Sequence, residues 1–286
     1  MSALVDGILL IGHGSRDEEG AEQFNQMVRR VSQRLRPLLP VPVYGAFLEF
    51  AYPRIGETLT RLAHQGMRKI LAVPVMLLDA GHKVHDIPHE LAEANKMNAG
   101  VDIQYGDHLG FHPDIMTVLM RRVQPYIPND GTGILLVGRG SSDPVANAHF
   151  YQMSRMFWEG SQYSLVENAF IGITRPDLPE GLERMYRLGV QRLIVVPYFL
   201  FTGALFKKIE DISASFARRH KNLTVHVTQY FGLEDEIVEL VVQRTNEALF
   251  GKHTAYDVEW MRTRAAHRYL SSHHHEAGHH AHHLDN

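Results

Sequence analysis

The sequence predicts an α/β protein built from two duplicated lobes, each with a parallel sheet. The first observation is an internal repeat, because ILLIGHGSRD at 8–17 and ILLVGRGSSD at 134–143 are identical at seven of ten positions. The second is that short apolar runs alternate with amphipathic stretches through both halves. Strands that alternate with helices form parallel sheets through right-handed crossovers. Two copies that start 126 residues apart indicate a duplicated domain rather than a solenoid.

The first half contains four apolar runs that are typical of buried strands. They are GILLIG, VYGAFL, KILAVPVML and VDIQY, at 7–12, 43–48, 69–77 and 101–105. Helical periodicity is found between them, at 18–36, 54–65, 85–98 and 112–125. In the first of these stretches one face carries Phe24, Met27, Val28, Val31 and Leu35, which predicts a helix packed against the sheet.

The second half repeats this order. The predicted strands are ILLVG, VENAFIG, RLIVVPYFL and LTVHVTQ, with helices near 145–158, 177–188, 206–219 and 234–249. A cluster of Pro, Asn, Asp and Gly in PYIPNDGTG at 125–133 is typical of a connection between domains. The expected domains are therefore 1–127, 128–250 and a C-terminal tail, 251–286.

Composition excludes several classes of protein. The chain has 286 residues, a net charge of −3 and no cysteine. Disulfides, thiolate metal sites and iron–sulfur clusters are therefore excluded, and the charge argues against a nucleic-acid partner. Without a signal-peptide pattern or a long apolar run, we expect a cytoplasmic protein with no membrane partner.

Three echoed segments point to a functional site. In the first half they present His13, Glu49 and His82, whereas the second half has Arg139, Gly172 and Leu205 at the matching positions. Parallel sheets bind ligands at the carboxyl ends of their strands, so the first three side chains should meet at one rim. Taken singly, each has a plainer explanation: a tight Gly-His-Gly turn, a salt-bridged carboxylate, a solvated loop histidine.

Two imidazoles and a carboxylate are ligands for a divalent first-row metal such as Co, Ni, Fe or Zn. Few protein ligands would hold that metal loosely, which suits delivery. Histidine also titrates near neutrality, so His13 is a candidate proton acceptor. The pattern therefore favours a reaction that exchanges protons for a metal ion.

Three motifs in order carry a specific resemblance: GHGSR at 12–16, FLE-x-x-x-P at 47–53, and VP-x-x-LL-x-x-GHK-x-x-DIP at 73–88. The sequence resembles the two-domain class II chelatases of the CbiX/SirB type, which insert a divalent metal into sirohydrochlorin. The resemblance spans roughly residues 1–250. It implies two flavodoxin-like lobes with the active-site cleft between them.

The resemblance also implies roles for individual residues. His13 and His82 would bind the metal, His13 would accept protons, and Glu49 would assist catalysis and contact the macrocycle. The loop of Leu77, Leu78, Asp79, Ala80, Gly81 and His82 would contact the macrocycle too. The substrate carries eight carboxylates, so Arg16 and Arg139 are candidates to bind them. The metal enters as a substrate, and no tightly bound cofactor is expected.

The tail is rich in histidine, at positions 273, 274, 275, 279, 280, 282 and 283. Such tracts are compositional metal binders, and interruptions by other residues argue against an expression tag. The tail and the two-domain length favour cobalt insertion for cobalamin synthesis, with iron insertion for sirohaem as the alternative and nickel third. A cobalt or nickel carrier without chelatase activity is a further alternative. Two lobes in one chain are compatible with a monomer.

Overall fold

The computed structural model describes residues 4–78, 82–98 and 100–250. The first half folds around a four-stranded parallel sheet with the order β2-β1-β3-β4. Its strands are β1 (Gly7–Gly12), β2 (Val43–Phe47), β3 (Lys69–Pro74) and β4 (Asp102–Tyr105). Its helices are α1 (Glu18–Leu35), α2 (Ile55–His64), α3 (His82–Met97) and α4 (Pro113–Val123).

The second half has the same order of elements and the equivalent strand order, β6-β5-β7-β8. Its strands are β5 (Thr132–Gly138), β6 (Val166–Phe170), β7 (Arg192–Pro197) and β8 (Thr224–Val227). Its helices are α5 (Pro144–Gly160), α6 (Leu178–Arg187), α7 (Ala204–Arg219) and α8 (Asp235–Phe250). The predicted class, two α/β lobes with parallel sheets, is confirmed. The predicted tail, 251–286, lies outside the described residues.

Two predicted strands are too long at their carboxyl ends. The run at 69–77 pairs with β1 only as far as Pro74, because β1 itself ends at Gly12. Beyond it, Met76 and Leu77 accept backbone hydrogen bonds from Leu109 and Gly110 (2.9 and 3.1 Å). The same happens after β7, where Phe199 accepts from Phe231 (2.9 Å) and Leu200 from Gly232 (2.7 Å). In both lobes the apolar run continues as a loop at the rim of the sheet.

Both faces of each sheet are buried, which explains why the strand sequences are continuously apolar. In β1, Ile8 and Leu10 point into a core that both lobes share, whereas Leu9 and Ile11 point into an outer core under α2 and α3. The outer core of the second lobe lies under α6 and α7. The shared core between the sheets therefore joins the lobes as one packed unit.

The last helix of each half packs on the sheet of the other half. Helix α4 contacts β7 and α5, while α8 contacts β3 and α1. The buried face of α8, which includes Ile237, Leu240 and Val241, belongs to the shared core. We call this arrangement the exchange of α4 and α8. Hydrogen bonds stabilise it, because Arg122 of α4 donates to Tyr230 O (2.9 Å) and Arg244 of α8 donates to Leu109 O (2.7 Å). Each sheet thus depends on the other half for part of its cover.

No helix among the described residues is long and apolar enough to span a membrane.

Candidate active site between the lobes

A cavity of about 410 Å³ lies between the two lobes. Its walls are the segments that follow four strands, β1, β3, β5 and β7, and they include residues 12–16, 75–78, 138–141 and 198–206. The carboxyl ends of the central strands of both sheets therefore open onto one space, as expected for a ligand site in parallel α/β folds.

The turn after β1 places His13 on the wall of this cavity. Leu48 N donates to Gly12 O and Glu49 N donates to His13 O, each at 2.9 Å, so the segment after β2 is tied to the segment after β1. Gly14 has a φ of +94°, and a Cβ at this position would lie 1.7 Å from Glu49 O. Only glycine allows both that backbone conformation and that close approach.

His13 contacts two charged side chains through one ring nitrogen. Its Nε2 lies 3.2 Å from Glu49 Oε1 and 2.9 Å from Arg139 Nη1. Its Nδ1 lies 3.3 Å from Gly14 O, and because a carbonyl oxygen only accepts, we assign the ring proton to Nδ1. In that tautomer the Nε2 lone pair accepts the hydrogen bond of Arg139. With this same lone pair, Nε2 can take up a proton or bind a metal.

Phe50 covers the ring of His13. The two rings are stacked with their centroids 6.1 Å apart, and the guanidinium of Arg16 lies over the Phe50 ring at 4.9 Å. Phe50 has a φ of +65°, and its counterpart in the second lobe, Ile173, has a φ of +66°. Non-glycine residues rarely adopt this backbone conformation, and such strain often occurs at functional sites. Phe50 was not among the residues predicted from the sequence.

The second lobe repeats the turn without the histidine. Gly140 has a φ of +84°, and Gly172 N donates to Arg139 O at 3.2 Å. Arg139 therefore occupies the position that matches His13, and the two residues hydrogen-bond to each other across the cavity. Leu205, at the position that matches His82, also lines the cavity.

The other predicted site residues divide into two groups. Arg16, Leu77 and Leu78 line the cavity, and their contacts with a macrocycle stay a prediction. Asp79, Ala80 and Gly81 lie outside the described residues, as does the side chain of His82, although α3 begins at that residue. A shared metal between His13 and His82 therefore stays a prediction. Among the described residues, no group of three or more His, Asp or Glu side chains is placed so that it could hold a metal ion.

An aromatic wall from the second lobe was missed by the sequence reasoning. We define it as Tyr198, Phe199, Phe201 and Phe206, which line the cavity opposite β1 and β3. The signal was present in the run YFLF after β7, which replaces VMLL of the first half. Tyr198 is buried with its hydroxyl oxygen unpaired among the described atoms, and burial raises the pKa of this phenol.

The lobes are clamped together beside the cavity. Asp17 accepts from Glu19 N at the start of α1 and binds Lys207 Nζ of α7 at 2.5 Å. The hydrogen bond from Lys207 lowers the pKa of Asp17, and the carboxylate raises the pKa of Lys207. In the first turn of α1, a Cβ on Gly20 would lie 2.5 Å from Thr202 O. This contact leaves no room for a side chain where the lobes meet.

The fold and site define a class of two-lobed α/β proteins with a histidine and a carboxylate at an interlobe cleft. The sequence pattern of the CbiX family matches residues 7–126 and 133–248, so the chain belongs to the CbiX family.

Three relatives show how broad the similarity is. The chain is 32% identical over 250 residues to the sirohydrochlorin cobaltochelatase of Priestia megaterium, covering 86% of this chain and 80% of the relative. It is 29% identical over 257 residues to the sirohydrochlorin ferrochelatase of the same organism, covering 89% and 94%. The structure of SirB from Bacillus subtilis with Fe3+ superposes with a TM-score of 0.74 at 26% identity, covering 88% of this chain and 98% of that one.

Proposed function

We propose that this protein inserts a divalent metal, preferentially Co2+, into sirohydrochlorin without ATP. The observation that carries the proposal is the Nε2 atom of His13, which faces the interlobe cavity beside Glu49 (3.2 Å). Family membership and the names of the two relatives, a cobaltochelatase and a ferrochelatase, support the class of reaction.

Insertion replaces the two N–H protons of the ring with one M2+, so the site must accept two protons in each turnover. His13 Nε2 accepts the first proton after the metal has passed to the ring, because its lone pair then holds neither the metal ion nor the hydrogen bond of Arg139. Glu49 is close enough to receive a proton from that imidazole or to take the second directly. The imidazole nitrogen is also a suitable ligand for Co2+ or Fe2+ before transfer. We assign His82 as the second metal ligand.

Macrocycle binding is assigned to both lobes. The aromatic wall provides an apolar face for a flat ring, and Leu77 and Leu78 also line the cavity. We assign further contacts with the macrocycle to Asp79, Ala80, Gly81 and His82. Arg16 and Arg139 bind peripheral carboxylates, for which guanidinium groups are well suited. The cavity needs no resident cofactor in this mechanism, because the metal is consumed as a substrate.

Cobalt is proposed over iron because of the length of the chain and the histidine-rich tail. Seven histidines between residues 273 and 283 would collect loosely bound Co2+ or Ni2+. Iron insertion is the second candidate, since a ferrochelatase is also among the relatives. A metal carrier without catalysis would need the ligands but no cavity of this kind.

The test is an optical assay with purified full-length protein, sirohydrochlorin and either Co2+ or Fe2+. Metal insertion changes the spectrum of the macrocycle directly. We expect acceleration over the reaction without enzyme, faster with Co2+ than with Fe2+, and a truncation after residue 270 to slow the reaction only when metal is scarce. A faster iron reaction would reverse the assignment of the metal. No acceleration with either metal, together with tight binding of cobalt, would favour the carrier.

A further inference from the structure

Arg139 stands where a metal bound to His13 would have to be. We propose that the Arg139 guanidinium closes the His13 metal position in the substrate-free enzyme, and that a carboxylate of the bound macrocycle draws it away. Metal binding at His13 then follows macrocycle binding. This inference rests on the proposed function, which it extends from the reaction to the order of its steps.

The guanidinium and a metal ion require the same lone pair of His13. Arg139 Nη1 lies 2.9 Å from His13 Nε2, on the nitrogen that the Nδ1 tautomer leaves as an acceptor. A transition metal binds an imidazole nitrogen at about 2.1 Å along the same lone pair. The metal would then lie within about 1 Å of the present position of Nη1 if the hydrogen bond follows the lone pair. The metal and the guanidinium therefore exclude each other, and their like charges reinforce the exclusion.

The side chain of Arg139 can leave His13 without a change in its backbone. That backbone is held by the hydrogen bond from Gly172 N and by the turn at Gly140, so the side chain has to move alone. The side chain is half-buried and lines the same cavity that the macrocycle would enter. A carboxylate offers a guanidinium two parallel charge-assisted hydrogen bonds, whereas a neutral imidazole offers one. A ring carboxylate at the cavity wall therefore competes successfully for Arg139.

The consequence is coupling between the two substrates. If the macrocycle withdraws Arg139, it raises the affinity of His13 for the metal, and the coupling must be reciprocal. The substrate-free enzyme would leave free metal unbound at His13, and the metal would bind where an acceptor ring is already present. The duplication accounts for the guanidinium that closes the metal position, because Arg139 is the counterpart of His13 in the second lobe.

The first experiment measures binding of Co2+ alone to the full-length protein by calorimetry. The variants are Arg139→Leu, His13→Ala and the double variant, so that metal bound by the tail is common to all and cancels in the differences. We expect the site that depends on His13 to bind Co2+ about tenfold more tightly in Arg139→Leu than in wild type, a change typical of one hydrogen bond to a charged group. Arg187→Leu, a change at an exposed arginine on α6, is the matched control and should leave binding unchanged.

The second experiment measures binding of metal-free sirohydrochlorin alone by fluorescence quenching. Arg139→Leu should weaken it about tenfold, and Arg187→Leu should leave it unchanged. Unchanged Co2+ affinity in Arg139→Leu would overturn the closure of the metal position, and unchanged sirohydrochlorin affinity would overturn its release by a carboxylate. Both readings are independent of turnover, so they are distinguishable from a failure of wild-type enzyme to catalyse insertion.

Discussion

His13 and Arg139 are equivalent residues of the two halves, and they contact each other in the folded chain. The turn around them is preserved in both lobes, with a left-handed glycine at Gly14 and at Gly140. What differs is the chemistry: an imidazole, which can accept a proton or a metal, faces a guanidinium, which is always positively charged. The two lobes have similar turns after β1 and β5, and the difference between His13 and Arg139 makes the site between them asymmetric.

The close approach at Gly14 leads to a prediction about stability. Gly14→Ala should destabilise the fold by about 2 kcal/mol or more, since alanine is strained at this φ and its Cβ would collide with Glu49 O. Insertion activity should fall as well, because the segment that carries Glu49 has to shift. The measurement is denaturant unfolding followed by the insertion assay.

Gly56 provides the control. It lies in α2 without a positive φ, and a Cβ added there would meet no atom within 4 Å. Gly56→Ala should leave activity unchanged and stabilise the protein by roughly 0.5–1 kcal/mol. Equal stability of Gly14→Ala and wild type would contradict the close approach inferred for the turn after β1.

At the same scale, the sequence could predict where His13 and Glu49 lie but not what surrounds them. Their positions after β1 and β2 follow from strand ends that meet at one rim. The contact with Arg139 depends on how the lobes face each other, and the stacking of Phe50 depends on a left-handed backbone at that residue. Hydrophobic periodicity predicts neither the contact with Arg139 nor the stacking of Phe50.

At the scale of elements, the two lobes meet at the cavity through the start of α1 and the start of α7. Asp17 and Lys207 form the ion pair between them. Asp17→Asn keeps a good helix cap and removes the charge, so it isolates the ion pair from the cap. We expect a decrease in Tm of about 1–3 °C at neutral pH.

The difference in Tm between wild type and Asp17→Asn should depend on pH in a definite direction. The pKa of Asp17 is lowered below 3.8 in the folded protein, so its contribution to stability is present above 3.8 and is lost as the pH falls through the folded pKa. The pKa of Lys207 is raised above 10.5, so its contribution is present below 10.5 and is lost at higher pH. The Tm values of wild type and Asp17→Asn should therefore converge at acidic pH and at strongly alkaline pH. A constant difference across the whole range would contradict the ion pair.

Most elements could be predicted from the sequence because apolar periodicity depends on burial. The same pattern misled at the ends of β3 and β7, where Val75 and Tyr198 continue the apolar run without strand pairing beyond Pro74 and Pro197. These residues are buried in the shared core and at the cavity wall. Burial by a neighbouring lobe and burial within a sheet produce the same pattern.

At the scale of the whole molecule, the exchange of α4 and α8 makes the lobes interdependent. The periodicity of α8 predicts an apolar face but not its partner, so the exchange was not visible in the sequence. In the structure Ile237, Leu240 and Val241 are fully buried in a core that both sheets share.

The exchange leads to a prediction about the isolated first half. Fragment 1–127 should not be a folded monomer, because α4 in the intact chain covers the other sheet and β3 lacks α8. We expect it to aggregate or to dimerise through the exposed face, and expression together with 128–286 should restore a folded complex. Size-exclusion chromatography and thermal melting provide the measurement. A monomeric fragment with a cooperative transition would contradict the interdependence.

The proposed role of His13 is tested most directly by initial rates of Co2+ insertion into sirohydrochlorin for wild type, His13→Ala and His64→Ala. His64 is an exposed histidine in the last turn of α2 and serves as the control. We expect His13→Ala to lower the rate by about 100-fold or more, the usual contribution of a general base, and His64→Ala to match wild type. A His13→Ala enzyme as fast as wild type would show that proton transfer and metal delivery occur elsewhere.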